Sequence, residues 1–420
     1  MKCIIAHPNI APFIKESVLA YQEHGLLEKF YTTYFEHPQY PFSQRLIRFF
    51  PEFEKEFKRR SISEIDYVHI QGYPYQEMLR VLTARLYSPK LMNRIWEWSE
   101  LNFDHWAARK LNSQIQWVHT YEHAALASIR QAKKLNITSF YEQPSQHYTF
   151  FNRLLQDQLR QYPELKSSST SLLFDTHAIK SDLRKEEELK ECDYILCNSK
   201  FTLKTLTDAG VSVKKIIRIP YGFPKTGPEL CDFKPSEKFI FLNAGSQNIR
   251  KGSHLLYEAW KQCNFDPAKA ELIIIGKNQL PEGVRKGLPD SVKFINNIPN
   301  TDLMDFYRKA NVFVLPTLAD GFGMVISEAM SKGLPVITTM NSGGPDIITH
   351  QKNGFLVEAG DIKALAERMK WCYANPSATR EAGSRAMITA AAYPWKTYRK
   401  NLVAAVLERV NERNSVISLK

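Results

Sequence analysis

The chain has 420 residues, 44% of them hydrophobic, and a formal net charge of +12. That length suits two or three domains with sizeable cores; no run of about 18 apolar residues occurs, so no membrane-spanning helix is expected, and residues 1–6 are too short and too polar in their sequel for a secretory signal. The cysteines Cys3, Cys192, Cys197, Cys231, Cys263 and Cys372 show neither metal-site spacing nor a disulfide framework, which fits a reducing cytosol.

The amino-terminal run MKCIIA reads as a strand, and His7, Pro8, Asn9 and Pro12 follow it. Phe42 to Arg60 mixes phenylalanines with arginines and lysines at near-helical spacing, although Pro51 breaks the pattern. It reads either as a basic amphipathic element for an acidic lipid surface or as a core helix with a basic outer face. Charge without a motif carries no case for nucleic acid. Apolar periodicity predicts helices over Tyr75–Tyr87, Leu91–Asn112 and Ala124–Leu135, with strands at Gln116–His119 and Ile137–Tyr141. This alternation is doubly wound in style. Pro220 to Pro235, rich in proline and glycine, marks a boundary.

Phe239–Ala244 is an apolar run ending at Gly245, and Ser253–Cys263 has helical spacing, so AGSQNIRKG is a strand-to-helix loop. Arg250 and Lys251 stand at the mouth of that helix. Arginine grips phosphate oxygens in a bidentate fork and lysine acts as a point charge, so the pair suits an anion; solvated Arg-Lys pairs are also common on surfaces. The spacing of a Walker loop is absent. Val312–Leu315 predicts a buried strand closed by Pro316, and Pro335–Thr338 the next one, with a helix between them that begins near Phe322 and stops at Gly333. Gly321 and Gly323 lack the Cβ that would hold a ligand away, and the amides of Gly323, Met324 and Val325 are expected to be open donors at the helix start. Glu328 lies about a turn and a half into the helix, with its carboxylate suited to a pair of ribose hydroxyls. Asp320 precedes the turn, where it either holds hydroxyls of a sugar or serves only as a turn residue.

Asp-Gly-Phe-Gly, then Glu-Ala-Met, then Gly-Leu-Pro-Val resembles the family-4 (group 1) retaining nucleotide-sugar glycosyltransferases of the GT-B fold. The likeness runs from about Asp193 to about Trp395, through CDYILCNSKFT, IRIPYGF, AGSQNIRKG, IIIGK, DLMDFYRKANVFVLP and SGGPDIITHQKNGFLVEAGD. It implies an α/β chain of two doubly wound Rossmann-like domains facing each other across a cleft: an acceptor-side domain (1–218), a donor domain (219–393) and a helix (394–420) returning to the first. It further implies that Arg250 and Lys251 hold the donor diphosphate, that Asp320 contacts the transferred sugar, that Glu328 binds the ribose, and that Gly245, Ser246, Gly321, Phe322, Gly323, Met324 and Val325 line the donor site. Retention in this family is often explained by front-face attack, with the leaving phosphate taking the acceptor's proton.

The chain departs from the family pattern in places. Asp320 stands where glutamate is usual, Ser246 where many relatives have arginine, and the first strand lacks a Gly-Gly loop. Glu142 falls where relatives place a histidine near the donor sugar, and His147 lies five residues on; each reads either as the positioning residue or as buried structure, with His119 and His123 as weaker candidates. The aromatic clusters Trp96, Trp98 and Trp106, and Tyr141, Tyr148, Phe150 and Phe151, suit either sugar stacking or core packing. No Asp-x-Asp triplet occurs, so no metal and no cofactor are expected. The expected partners are a nucleotide-sugar donor and a glycan or lipid-linked acceptor, at a cytoplasmic site that includes the inner membrane surface, with no nucleic acid. The competing expectations are a non-catalytic nucleotide-sugar-binding partner of another transferase and a same-fold sugar epimerase.

Overall fold

The computed structural model describes residues 1–39, 60–83, 89–226 and 237–418. Residues 42–59 of the basic aromatic segment, 84–87 of the predicted helix, most of the predicted linker and Cys231 lie outside the described residues.

The amino-terminal half builds a 7-stranded sheet in the order β3-β2-β1-β4-β5-β6-β7. Its strands are β1 (Cys3–Ala6), β2 (Leu27–Thr32), β3 (Ile70–Gly72), β4 (Trp117–Tyr121), β5 (Thr138–Gln143), β6 (Tyr194–Cys197) and β7 (Ile216–Arg218). Every neighbouring pair is parallel. Parallel strands need crossovers and bury both faces, which is why β1, β4 and β5 are buried at every position. A 6-stranded parallel sheet follows in the order β10-β9-β8-β11-β12-β13. It comprises β8 (Phe239–Ala244), β9 (Ala270–Ile275), β10 (Val292–Ile295), β11 (Val312–Leu315), β12 (Val336–Thr339) and β13 (Gly354–Val357).

In each sheet the winding reverses once, between β1 and β4 and between β8 and β11. Ligands of open α/β sheets bind beyond the carboxyl ends of the strands at such reversals. The loops after β8 and β11 are AGSQNIRKG and the Asp-Gly-Phe-Gly turn, so topology alone brings the two candidate motifs to one crevice.

The lobes are joined in three ways. The helix Trp395–Ser418 returns to the first lobe and lies on Pro12–Glu23. There it buries Tyr398, Leu402, Val403, Val406 and Val410 in that lobe's core, and Arg399 Nε pairs with Glu23 at 2.9 Å. The helix Tyr148–Gln161 follows β5 in the first sheet, yet its Leu155 joins Leu165 in the core of the second lobe. Asp346 of the second lobe accepts a hydrogen bond from the Lys200 amide at 2.9 Å and pairs with Arg218 at 2.6 Å.

One buried acid makes stability depend on pH. Glu188 is fully buried and receives only long hydrogen bonds from the His123 and Ala125 amides, at 3.3 and 3.4 Å. Burial pushes its carboxyl up to about 7, against the nearby Arg184. A raised folded-state value means that the favourable contribution of this group is complete below its ordinary range near 4.5 and is lost as pH rises through about 7. Glu188→Gln keeps the acceptor and removes the charge. It should raise the unfolding midpoint near pH 8, with a gain of up to about 3 kcal/mol, and leave it unchanged near pH 4. Equal midpoints in thermal unfolding at the higher pH would show that the Glu188 carboxyl is not raised by its burial.

Candidate active site

The loop after β8 is laid directly on the chain leaving β11. Gly252 has φ 68°, and a Cβ there would stand 2.0 Å from the Pro316 carbonyl oxygen, so only glycine fits. The carbonyl of Arg250 accepts hydrogen bonds from the Leu318 amide at 2.8 Å and the Thr317 hydroxyl at 3.0 Å. Through these bonds the two loops form one rigid corner.

On that corner Lys251 Nζ forms an ion pair and hydrogen bond with Asp320 Oδ2. Arg250 Nη1 donates to the Ala319 carbonyl at 3.0 Å and lies 3.6 Å from Asp320 Oδ1. The Gly323 amide also faces the Asp320 carboxylate and favours its charged form. Burial raises the Asp320 carboxyl, but Lys251, Arg250 and this amide outweigh burial and hold it below the usual carboxylate value. Burial draws the Lys251 ammonium down, with Asp320 opposing the shift. The result is a compact, mostly buried cluster of two cations and one anion.

Beyond the turn, the helix Met324–Ser331 starts from Gly323 at φ 78°, and no side chain caps it. Its first amides and partial positive charge face the same corner. Glu328 Oε2 accepts a hydrogen bond from the Tyr307 hydroxyl at 3.1 Å, and burial raises its carboxyl despite that bond. Gly245 sits at φ 127° and Ser246 is exposed beside it.

Two expectations about the turn need correction. The absent Cβ of Gly321 makes room for the first lobe rather than for a ligand: a Cβ would lie 1.9 Å from the Pro144 carbonyl oxygen and 2.9 Å from Ser145 Cα. Phe322 is buried in the core of the first lobe, its ring 5.3 Å from that of Tyr221.

In the first lobe, Glu142 is 3% exposed and both its oxygens are taken, by His119 Nε2 at 3.0 Å and by the Tyr221 hydroxyl at 2.6 Å. It holds Tyr221 against Phe322 and so acts on the turn from behind. His147 caps the helix Tyr148–Gln161, accepting from the Thr149 amide at 3.3 Å. Its ring is buried, which lowers its pKa, and Glu186 lies 3.6 Å away. Neither reaches the corner directly. The residue missed in the sequence is Glu122, just past β4 at the first sheet's reversal. Ser145, the residue under Gly321, donates to it at 2.8 Å, and Lys185 stands 3.9 Å away. Burial opposes its charge, yet His123 and Lys185 keep its carboxyl below the usual value. The only sequence signal was an acid after a strand end, which topology had to make meaningful. Tyr141 belongs to the core, whereas Trp96 and Trp98 are exposed.

Residues 232–392 match the family described as Glycosyl transferases group 1. That match lies in the second lobe, where the chain is similar to the group 1 glycosyltransferases. Relatives align over about a third of the chain. The capsular polysaccharide biosynthesis glycosyltransferase CapM of Staphylococcus aureus is 34% identical over 142 residues, 32% of this chain and 37% of CapM. The sulfoquinovosyl transferase SQD2 of Arabidopsis thaliana is 27% identical over 166 residues, 38% of this chain and 31% of SQD2. The chain thus aligns with about a third of the length of each. Among solved structures, HepE of Anabaena in complex with UDP superposes with a TM-score of 0.62 at 15% identity, over 97% of this chain and 100% of that one. TarM superposes with a TM-score of 0.64 at 12% identity, over 96% and 98%. These likenesses show the fold of the chain, the two-lobed GT-B architecture.

Proposed function

We propose that the protein is a retaining glycosyltransferase that moves a sugar from a nucleoside-diphosphate-sugar donor to a glycan or lipid-linked acceptor, in the synthesis of a surface polysaccharide or glycolipid. The observation that carries this reading is the corner of Arg250, Lys251 and Asp320 at the reversal of the second sheet, closed over by Pro144 and Ser145 of the first lobe. Arg250, Lys251 and the first amides of the Met324–Ser331 helix hold the donor diphosphate, Glu328 the ribose hydroxyls, and Asp320 the transferred sugar. As the bond from C1 to the phosphate breaks, negative charge grows on the departing diphosphate, and these preplaced donors stabilise it without reorganising. The countercharge comes from side chains, so this reading calls on no cofactor. Glu142 and His147 act as supports of the turn and of the first-lobe wall.

UDP is the first nucleotide to test, since HepE binds it, and relatives such as CapM are named for polysaccharide biosynthesis. No helix among the described residues is long and apolar enough to cross a membrane; a cytoplasmic protein seated peripherally on the inner membrane face fits the exposed Trp98, Ile179 and Leu183 of the first lobe. The test is a panel of UDP-, GDP- and ADP-sugars read by thermal shift and by product mass. Stabilisation by one donor with transfer or slow hydrolysis is expected; stabilisation with neither would make the protein an inert nucleotide-sugar-binding partner.

Glu328 gives a separate prediction. Glu328→Ala removes a charged acceptor from the ribose and should weaken UDP binding by on the order of tenfold or more in calorimetry, while inorganic pyrophosphate binding is unaffected. Unchanged UDP affinity would remove Glu328 from the donor site.

A further inference from the structure

Asp320 is expected to meet the sugar, yet its carboxylate sits on both cations assigned to the diphosphate. It accepts from Lys251 Nζ, lies 3.6 Å from Arg250 Nη1 and is faced by the Gly323 amide at the start of the Met324–Ser331 helix. Two cations and a helix-start amide around one oxyanion are what a phosphate group would use at the same point. The position is occupied by a side chain of the protein. Nor is it a loose surface pair: Lys251 and Asp320 side chains are 17% and 13% exposed, so each strengthens its hold on the other in a weakly screened site.

We propose that Asp320 is the resident counter-ion of the diphosphate clamp, and that an incoming nucleoside diphosphate binds by displacing its carboxylate from Lys251 and Arg250. The proposal rests on the reading of those two cations as the diphosphate site. The backbone of Asp320 is fixed during the exchange, with its amide bonded to the Asn341 carbonyl at 2.9 Å and Gly321 seated under Pro144. Movement is therefore confined to rotation of the side chain, which carries the carboxylate off the cations and makes it available to the sugar. No covalent step is involved. The exchange lowers the net affinity for a diphosphate, because binding must first release the internal pair. Its benefit falls on product release: once the sugar has gone, Asp320 competes for the same cations as the departing nucleotide.

The experiment is calorimetric titration of UDP into the full chain, wild type and Asp320→Asn, with the rate of UDP release followed by stopped flow. Removing the internal competitor should tighten UDP binding about tenfold, the effect of a pair formed in about nine molecules of ten, and should slow release correspondingly while sugar transfer falls. In a Lys251→Ala background the same substitution should give a much smaller gain, because only the longer contact with Arg250 is left to exchange. Asp320→Ser serves as a second variant should the amide disturb the pocket. Equal or weaker UDP binding by cooperatively melting Asp320 variants would overturn the proposal, as would a gain undiminished without Lys251. Wild-type protein that responds to none of UDP, GDP and ADP would instead remove the functional reading itself, and this inference with it.

Discussion

Lys251→Ala should reduce sugar transfer by roughly 10²–10³-fold, the range found when one preplaced donor to a developing oxyanion is lost. Lys251 is held in position by the Asn248 side chain, which accepts from its amide at 2.9 Å, and by the rigid stitching of Arg250 to Leu318. Its ammonium therefore needs no rearrangement to meet a phosphate. The substitution also leaves Asp320 with Arg250 alone, so some loss of thermal stability should accompany the loss of activity. Steady-state transfer, UDP calorimetry and melting on one preparation separate the two effects. Transfer within a few-fold of wild type in a folded protein would show that the charge on the leaving diphosphate is met elsewhere.

Gly321→Ala should have an effect of similar size by a different route. The backbone of Gly321 is not in the left-handed region, so alanine is conformationally acceptable and the consequence is one of space alone. Its Cβ would meet the Pro144 carbonyl oxygen at 1.9 Å. The obstacle is backbone of the opposite lobe, so the lobes must part at this point. A displacement of about 1 Å between reacting groups costs about 10²-fold in rate. Transfer should fall by that factor, whereas UDP affinity should stay close to wild type, because the corner and Glu328 belong to the second lobe. Parallel loss of UDP binding would place the damage in the turn itself, and retention of both would mean that contact between Gly321 and Pro144 is not part of the working state.

What could be read from the sequence was local. Phe239–Ala244, Val312–Leu315 and Ser253–Cys263 appear with the predicted bounds, since short apolar runs ending at glycine or proline specify their own ends. The strand read as Pro335–Thr338 is shifted by one residue to Val336–Thr339, because proline has no amide for the ladder. The returning helix from Trp395 was also legible. Long-range pairing was not. Lys251 and Asp320 are 69 positions apart, and nothing in either segment announces that the acid turns onto the base. Glu142 was singled out by its place after a strand, but its partners come from β4 and from Tyr221, which only the folded sheet brings near. Glu122 was missed for the same reason. Leu155 reads as one side of an amphipathic helix, and the sequence does not say which lobe that side will meet.

The account stands on one location, the corner where the loops after β8 and β11 meet. A crystal structure of the protein soaked with UDP tests it most directly. The predicted result is a diphosphate against Arg250, Lys251 and the amides of Met324 and Val325, a ribose on Glu328, and the Asp320 carboxylate rotated off Lys251. UDP seated away from that corner, with the Lys251–Asp320 pair intact, would contradict the account.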